Sequence, residues 1–80
     1  GLTFERVVRE TLYRFCQGMK VAVEIVLMAA DAGLIPVNRE VIAIAGTDRG
    51  ADTAIVVQPA YSRRFYELKI KEIIAKPREP

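Results

Sequence analysis

Residues 40–59 read EVIAIAGTDRGADTAIVVQP, two short apolar runs rich in β-branched residues on either side of a polar segment that carries two glycines. Val41–Ala45 and Ala54–Val57 are apolar at successive positions, without the alternation of a strand that is wet on one side. They are therefore expected to be interior strands, covered on both faces. Pro59 has no N–H for a ladder and ends the second run.

The joining loop, residues 46–53, either merely turns or holds a ligand. Gly46 and Gly50 tolerate positive φ and close approach to the backbone. Successive N–H groups in such a turn form a nest for an anion, Arg49 offers a fork of donors, and Thr47 and Thr53 add hydroxyls. Asp48 and Asp52 point the other way. Aspartates make turns through their own side-chain hydrogen bonds, Arg49 has a carboxylate at hand to pair with, and two negative charges oppose a phosphate unless they face away. Asp52 also has a possible anchoring role, accepting backbone N–H bonds within the loop. On these residues alone both readings stay open.

Upstream, MKVAVEIVLMAADAG (residues 19–33) is too long for one strand, although VAVEIV by itself would suit one. Its length and its Ala, Leu and Met content predict a helix over residues 19–32, stopped by Gly33. Apolar residues fill nearly its whole circumference, so it should be central and largely buried. Before it, Thr3 reads as an N-cap with Leu2 and Val7 as a hydrophobic staple and Glu5 in the first turn. The spacing of Phe4, Val7, Val8, Leu12 and Phe15 predicts an amphipathic helix over residues 4–16, ended by Gly18. Downstream, Ser62 is positioned to cap a short helical turn over residues 62–67. The lysines of LKIKEIIAKP suit an edge strand over residues 68–75, because charge on alternate positions blocks further pairing.

Eighty residues make one domain and bury a thin core. Twelve basic against ten acidic residues give a net charge of +2, without the basic excess of a nucleic-acid binder. Mean hydropathy is +0.16 and no apolar run approaches a membrane span. There is one cysteine and no histidine. An internal disulfide and a Ser/His or Cys/His pair within the chain are excluded, and a cytoplasmic setting is expected. A metal site would have to be built from Cys16 and carboxylates, and none is expected.

Other candidates have plain explanations beside the functional ones. Glu24 and Asp31 are seven apart on one helix face, a ligand-facing stripe or a solvated seam. Cys16 is a reactive thiol or a packed one. Tyr61, Phe65 and Tyr66 stack on a ligand or belong to the core or an interface, and Arg63 and Arg64 face phosphate or solvent.

The run AADAGLIPVNREVIAIAGTDRGADTAIVVQPA (residues 29–60) resembles the last helix and hairpin of the pyruvate kinase C-terminal α/β domain. The chain as a whole is similar to a mainly archaeal family of pyruvate kinase α/β-domain-like proteins, with VEIVLMAADAG, RGADTAIVV and EIIAKPR as the matching segments. The resemblance covers nearly all 80 residues but only the later half of that domain. It implies a three-layer α/β sandwich to which this chain contributes two helices, a hairpin of two buried strands and a C-terminal edge strand. The chain is then expected to be the later part of a longer domain whose earlier strands precede Gly1.

In pyruvate kinase the corresponding loop lies at a sugar-phosphate site. The resemblance thus implies that Gly46, Thr47, Arg49, Gly50, Asp52 and Thr53 bind a phosphate-bearing small molecule: a nucleotide, flavin mononucleotide or a sugar phosphate. Kinase activity does not follow, because nothing here corresponds to the catalytic barrel. Two alternatives accompany this expectation. One is a structural or oligomerising unit, associating with another copy or with the earlier segment, without nucleic acid or membrane. The other is part of an enzyme whose catalytic groups lie elsewhere.

Overall fold

The computed structural model describes residues 1–79. Two helices are followed by a three-stranded antiparallel sheet: α1 Phe4–Tyr13, α2 Gln17–Asp31, β1 Val41–Thr47, β2 Gly50–Gln58, a 3₁₀ helix Ser62–Glu67 and β3 Lys69–Ala75. The strand order is β1-β2-β3, so β2 is central and both neighbours are edges. This corrects the expectation for Val41–Ala45, which is apolar on both faces yet lies at the rim of the sheet.

The core forms where α2 crosses the inner face of β1 and β2. Met19, Ala22, Val23 and Val26 of α2 meet Ala43 and Ala45 of β1 and Ile55 and Val57 of β2. The two alanines of β1 have little volume, which lets the helix come close to that strand; the larger Ile55 and Val57 fill the space beside it. The opposite face is bare at β1, where Ile42 and Ile44 are 63% and 60% exposed.

Thr3 caps α1 as expected, its Oγ1 accepting from the Arg6 N–H at 3.2 Å. The helix stops at Tyr13, short of the expected Cys16, and none of its residues is buried. The apolar stripe along α1 is thus largely uncovered, with Phe4 74% exposed. Gly18 does not end this helix. Cys16 takes an extended conformation as N-cap of α2 and Gly18 sits within the first turn of α2, for a packing reason given below.

The other end of α2 follows expectation. Gly33 has φ 74°, and a Schellman pair closes the helix, Gly33 N–H to Ala30 O at 3.0 Å and Leu34 N–H to Ala29 O at 2.8 Å. α2 is buried along one face only, not largely buried as expected: Ile25 and Met28 on its flank are exposed, because no element covers that side among the described residues.

Asp31 ties α2 to the 3₁₀ helix. Its carboxylate accepts from the Ser62 N–H at 2.9 Å and the Ser62 hydroxyl at 2.6 Å. Ser62 is therefore not the cap of its own helix, as its position suggested; Tyr61 is the N-cap residue and makes no side-chain capping bond. The Gln58 side-chain amide donates to Val37 O at 2.6 Å and pins the connection between α2 and β1 to the end of β2.

Candidate functional site

The segment GTDRGADT is mostly strand rather than loop. Thr47 pairs with Gly50, so the turn itself is only Asp48 and Arg49. Among the described residues no non-glycine has positive φ, so the turn is not one of the primed hairpin types. Gly50, at φ 122°, takes the strained position that follows the turn. Gly46 is needed for a different reason: a β-carbon there would overlap Gly50 O and come within 2.8 Å of Ala51 Cα. Both glycines are thus demanded by the hairpin itself.

The register jumps from Ala45↔Thr53 to Gly46↔Ala51, so Asp52 is the extra residue of a β-bulge. The bulge brings the side chains of Asp52 and Thr53 together towards the first turn of α2. Thr53 is 2% exposed, and its hydroxyl donates to Asp52 Oδ1 at 2.8 Å. Cys16 Sγ lies 3.3 Å from the same Thr53 oxygen. Since the one hydroxyl proton goes to Asp52, the thiol is the donor in that contact. A polar chain therefore runs inward from the carboxylate through Thr53 to a fully buried cysteine, the packed one of the two readings open to Cys16.

The start of α2 is pressed against this chain. A β-carbon on Gly18 would overlap Thr53 Oγ1 and lie 2.7 Å from Thr53 Cβ and 2.8 Å from Asp52 Oδ1. Asp52 therefore stands beside the positive end of the α2 dipole, where a negative charge is favourable. The chain supplies its own anion at the helix terminus nearest the hairpin. Nothing in the sequence spacing linked Gly18 to Thr53, 35 positions away; only its place in an apolar helix, where Gly is disfavoured, hinted at a close contact.

The six expected site residues thus separate into groups. Gly46 and Gly50 shape the hairpin, Thr53 and Asp52 face α2, and Thr47 accepts from the Arg49 N–H at 3.4 Å. Arg49 alone projects from the tip. It is exposed, and among the described residues its guanidinium forms no ion pair with any carboxylate, Asp48 and Asp52 included.

Two clefts lie elsewhere. An open groove of about 470 Å³ runs between α1, α2 and the 3₁₀ helix, walled by Val8, Leu12, Val23, Leu27 and Phe65. Glu24, one of the paired acidic candidates, stands on its rim and bonds Lys20 at 2.9 Å. A second recess, about 580 Å³, lies at the end of α2 beside Asp31, Tyr61 and Arg63. No residue of the hairpin lines either cleft.

Around the second recess the hydrogen bonds from Ser62, with help from the nearby Arg63 charge, hold the Asp31 carboxyl below its ordinary value. The Arg64 guanidinium, 2.6 Å from Glu67, does the same to that carboxyl. Arg63 also lies over the Tyr61 ring at 5.4 Å. These are exposed contacts of modest strength. Among the described residues no group of three or more Cys, Asp or Glu side chains is placed to hold a metal ion. No protein-family model matches this chain.

Proposed function

We propose that the chain is an assembly unit, an α/β building block that works by joining its apolar surfaces to another polypeptide of the same kind. The observation that carries this is the bare outer face of β1, with Ile42 and Ile44 exposed in the middle of an uncharged strand. Exposed apolar surface of this contiguity is an interaction surface on a soluble chain. Helices on one side and none over β1 on the other also fit the resemblance to a three-layer pyruvate kinase C-terminal-like sandwich, in which a further layer would lie there. Light scattering over a range of protein concentration tests the proposal. A mass above that of one chain is expected, and a single-chain mass at every concentration would overturn it.

Arg49 favours a second reading, the phosphate-bearing ligand. A guanidinium with no ion pair among the described residues, on a residue at the hairpin tip whose backbone N–H reaches the Thr47 hydroxyl, is a place for one phosphate group. With Asp52 nearby and neither cleft reaching the tip, such a site would be shallow and weak. Titration with inorganic phosphate, flavin mononucleotide and a sugar phosphate, followed by backbone NMR, is expected to shift the amides of residues 47–50. Arg49→Ala should remove those shifts while leaving the fold unchanged. Equal shifts in both proteins would sink the ligand reading.

A further inference from the structure

The two edges of the sheet are built differently. β3 carries Lys69, Lys71 and Glu72, all exposed, and its pairing with β2 is broken by two register shifts. Charges and bulges of this kind keep an edge from recruiting another strand. β1 has neither. From Val41 to Ala45 it pairs with β2 in unbroken register, and Val41–Thr47 contains no charge and no proline. Its outer edge presents unpaired N–H and C=O groups on an apolar strand, which is the form of an edge made to be paired.

Two apolar patches adjoin that edge. Ile42 and Ile44 lie on the outer face of β1. On the inner side, Val21, Ile25 and Met28 follow one another at spacings of four and three along α2, with Ile25 39% and Met28 63% exposed. The opposite flank of α2 carries Lys20, Glu24 and Leu27 beside α1, and Asp31 beside the 3₁₀ helix that leads into β3. The Ile25–Met28 flank therefore looks out past the free edge of β1.

We infer that a second copy of this chain pairs with β1 edge to edge, antiparallel, across a twofold axis through Ala43. This rests on the self-association proposed above and names its geometry. The segment Ile42-Ala43-Ile44 reads the same in both directions. Antiparallel pairing about Ala43 sets Ile42 of one copy opposite Ile44 of the other on the same face, which builds a patch of isoleucines from both chains. It also sets both α2 helices on the opposite face with their Ile25–Met28 flanks towards each other.

The surface area agrees. A compact monomer of 8.9 kDa exposes about 4,800 Å², whereas this chain exposes 5557 Å². The excess, roughly 700 Å², is close to the ~800 Å² that each partner buries in a stable interface.

The test uses the whole chain. Ile42 and Ile44 are exposed in one copy, so Ile42→Lys and Ile44→Lys should keep the fold by circular dichroism but halve the mass seen by light scattering. Ile74→Lys, on the far edge of the sheet, should leave the mass unchanged. As an independent readout, Ile42→Cys mixed with Ile44→Cys should form an intermolecular disulfide on oxidation, because directly opposed residues lie within disulfide reach. Each variant alone should crosslink far less, and the buried Cys16 does not compete. A chain that stays single overturns both this pairing and the proposed self-association. An oligomer that resists both lysine variants, or that crosslinks without preference for the 42–44 mixture, overturns the pairing alone.

Discussion

Gly18 is the residue on which the hairpin and the helices depend together. In an exposed helix, replacing Gly by Ala gains ~0.5–1 kcal/mol of backbone entropy. Here the new methyl would overlap Thr53 Oγ1 and crowd Asp52, and overpacking of a tight site costs ~1–3 kcal/mol. Turning the Thr53 side chain moves its Oγ1 but not its Cβ, which would stay 2.7 Å away, so the steric cost should win. Gly18→Ala is expected to lower the unfolding free energy by about 1–2 kcal/mol in urea titration, with an unchanged m-value. A gain in stability would show that the start of α2 can shift away from β2. The same contact explains why the sequence misplaced this glycine. A glycine between two helical stretches reads as a stop, and only the fold reveals that it is a gap kept open for a threonine 35 positions later.

Among the elements, helix identity, hairpin and third strand were legible because each rests on local periodicity. The Schellman end of α2 at Gly33 and the lysine-bearing β3 needed only the residues at hand. Strand order was not legible, since two-faced apolarity says that β1 needs cover without saying what provides it. Of the candidate site, the turn and its glycines were visible. The bulge that turns Asp52 towards α2 depends on register and was not. Nor was the partner of Asp31, which proves to be Ser62, joining α2 to the 3₁₀ helix. Because those hydrogen bonds lower the Asp31 pKa in the folded chain, the ionised form is favoured by folding. The stabilisation is present above the unfolded value, near 3.9, and is lost as the pH falls through the lower folded one. Asp31→Asn is thus expected to flatten part of the acid limb of stability against pH below about 4, leaving the part due to Glu67 and Arg64. An identical acid limb in both proteins would mean that the Asp31–Ser62 link contributes nothing.

At the scale of the whole molecule, a chain of 8.9 kDa exposes about 12,900 Å² when unfolded and, if compact, should bury roughly 63% of it. With 5557 Å² still exposed it buries nearer ~57%. Exposed large apolar residues lie on α1, on the flank of α2, on β1 and on β3, so the isolated fold forgoes burial that association would restore. A folded state stabilised by pairing must respond to mass action, because unfolding a dimer yields two chains. Each tenfold rise in concentration adds about 1.4 kcal/mol per dimer. With an unfolding entropy near 2.1 cal/mol/K per residue over two chains, this raises the midpoint by about 4 °C per tenfold. Thermal unfolding followed by circular dichroism is therefore expected to shift upward by that amount across each decade of concentration in the native chain. Ile44→Lys should melt lower, at a midpoint independent of concentration, if the free edge of β1 is where the second copy binds. A concentration-independent midpoint in the native chain would instead mean that the fold stands alone with its apolar surfaces exposed.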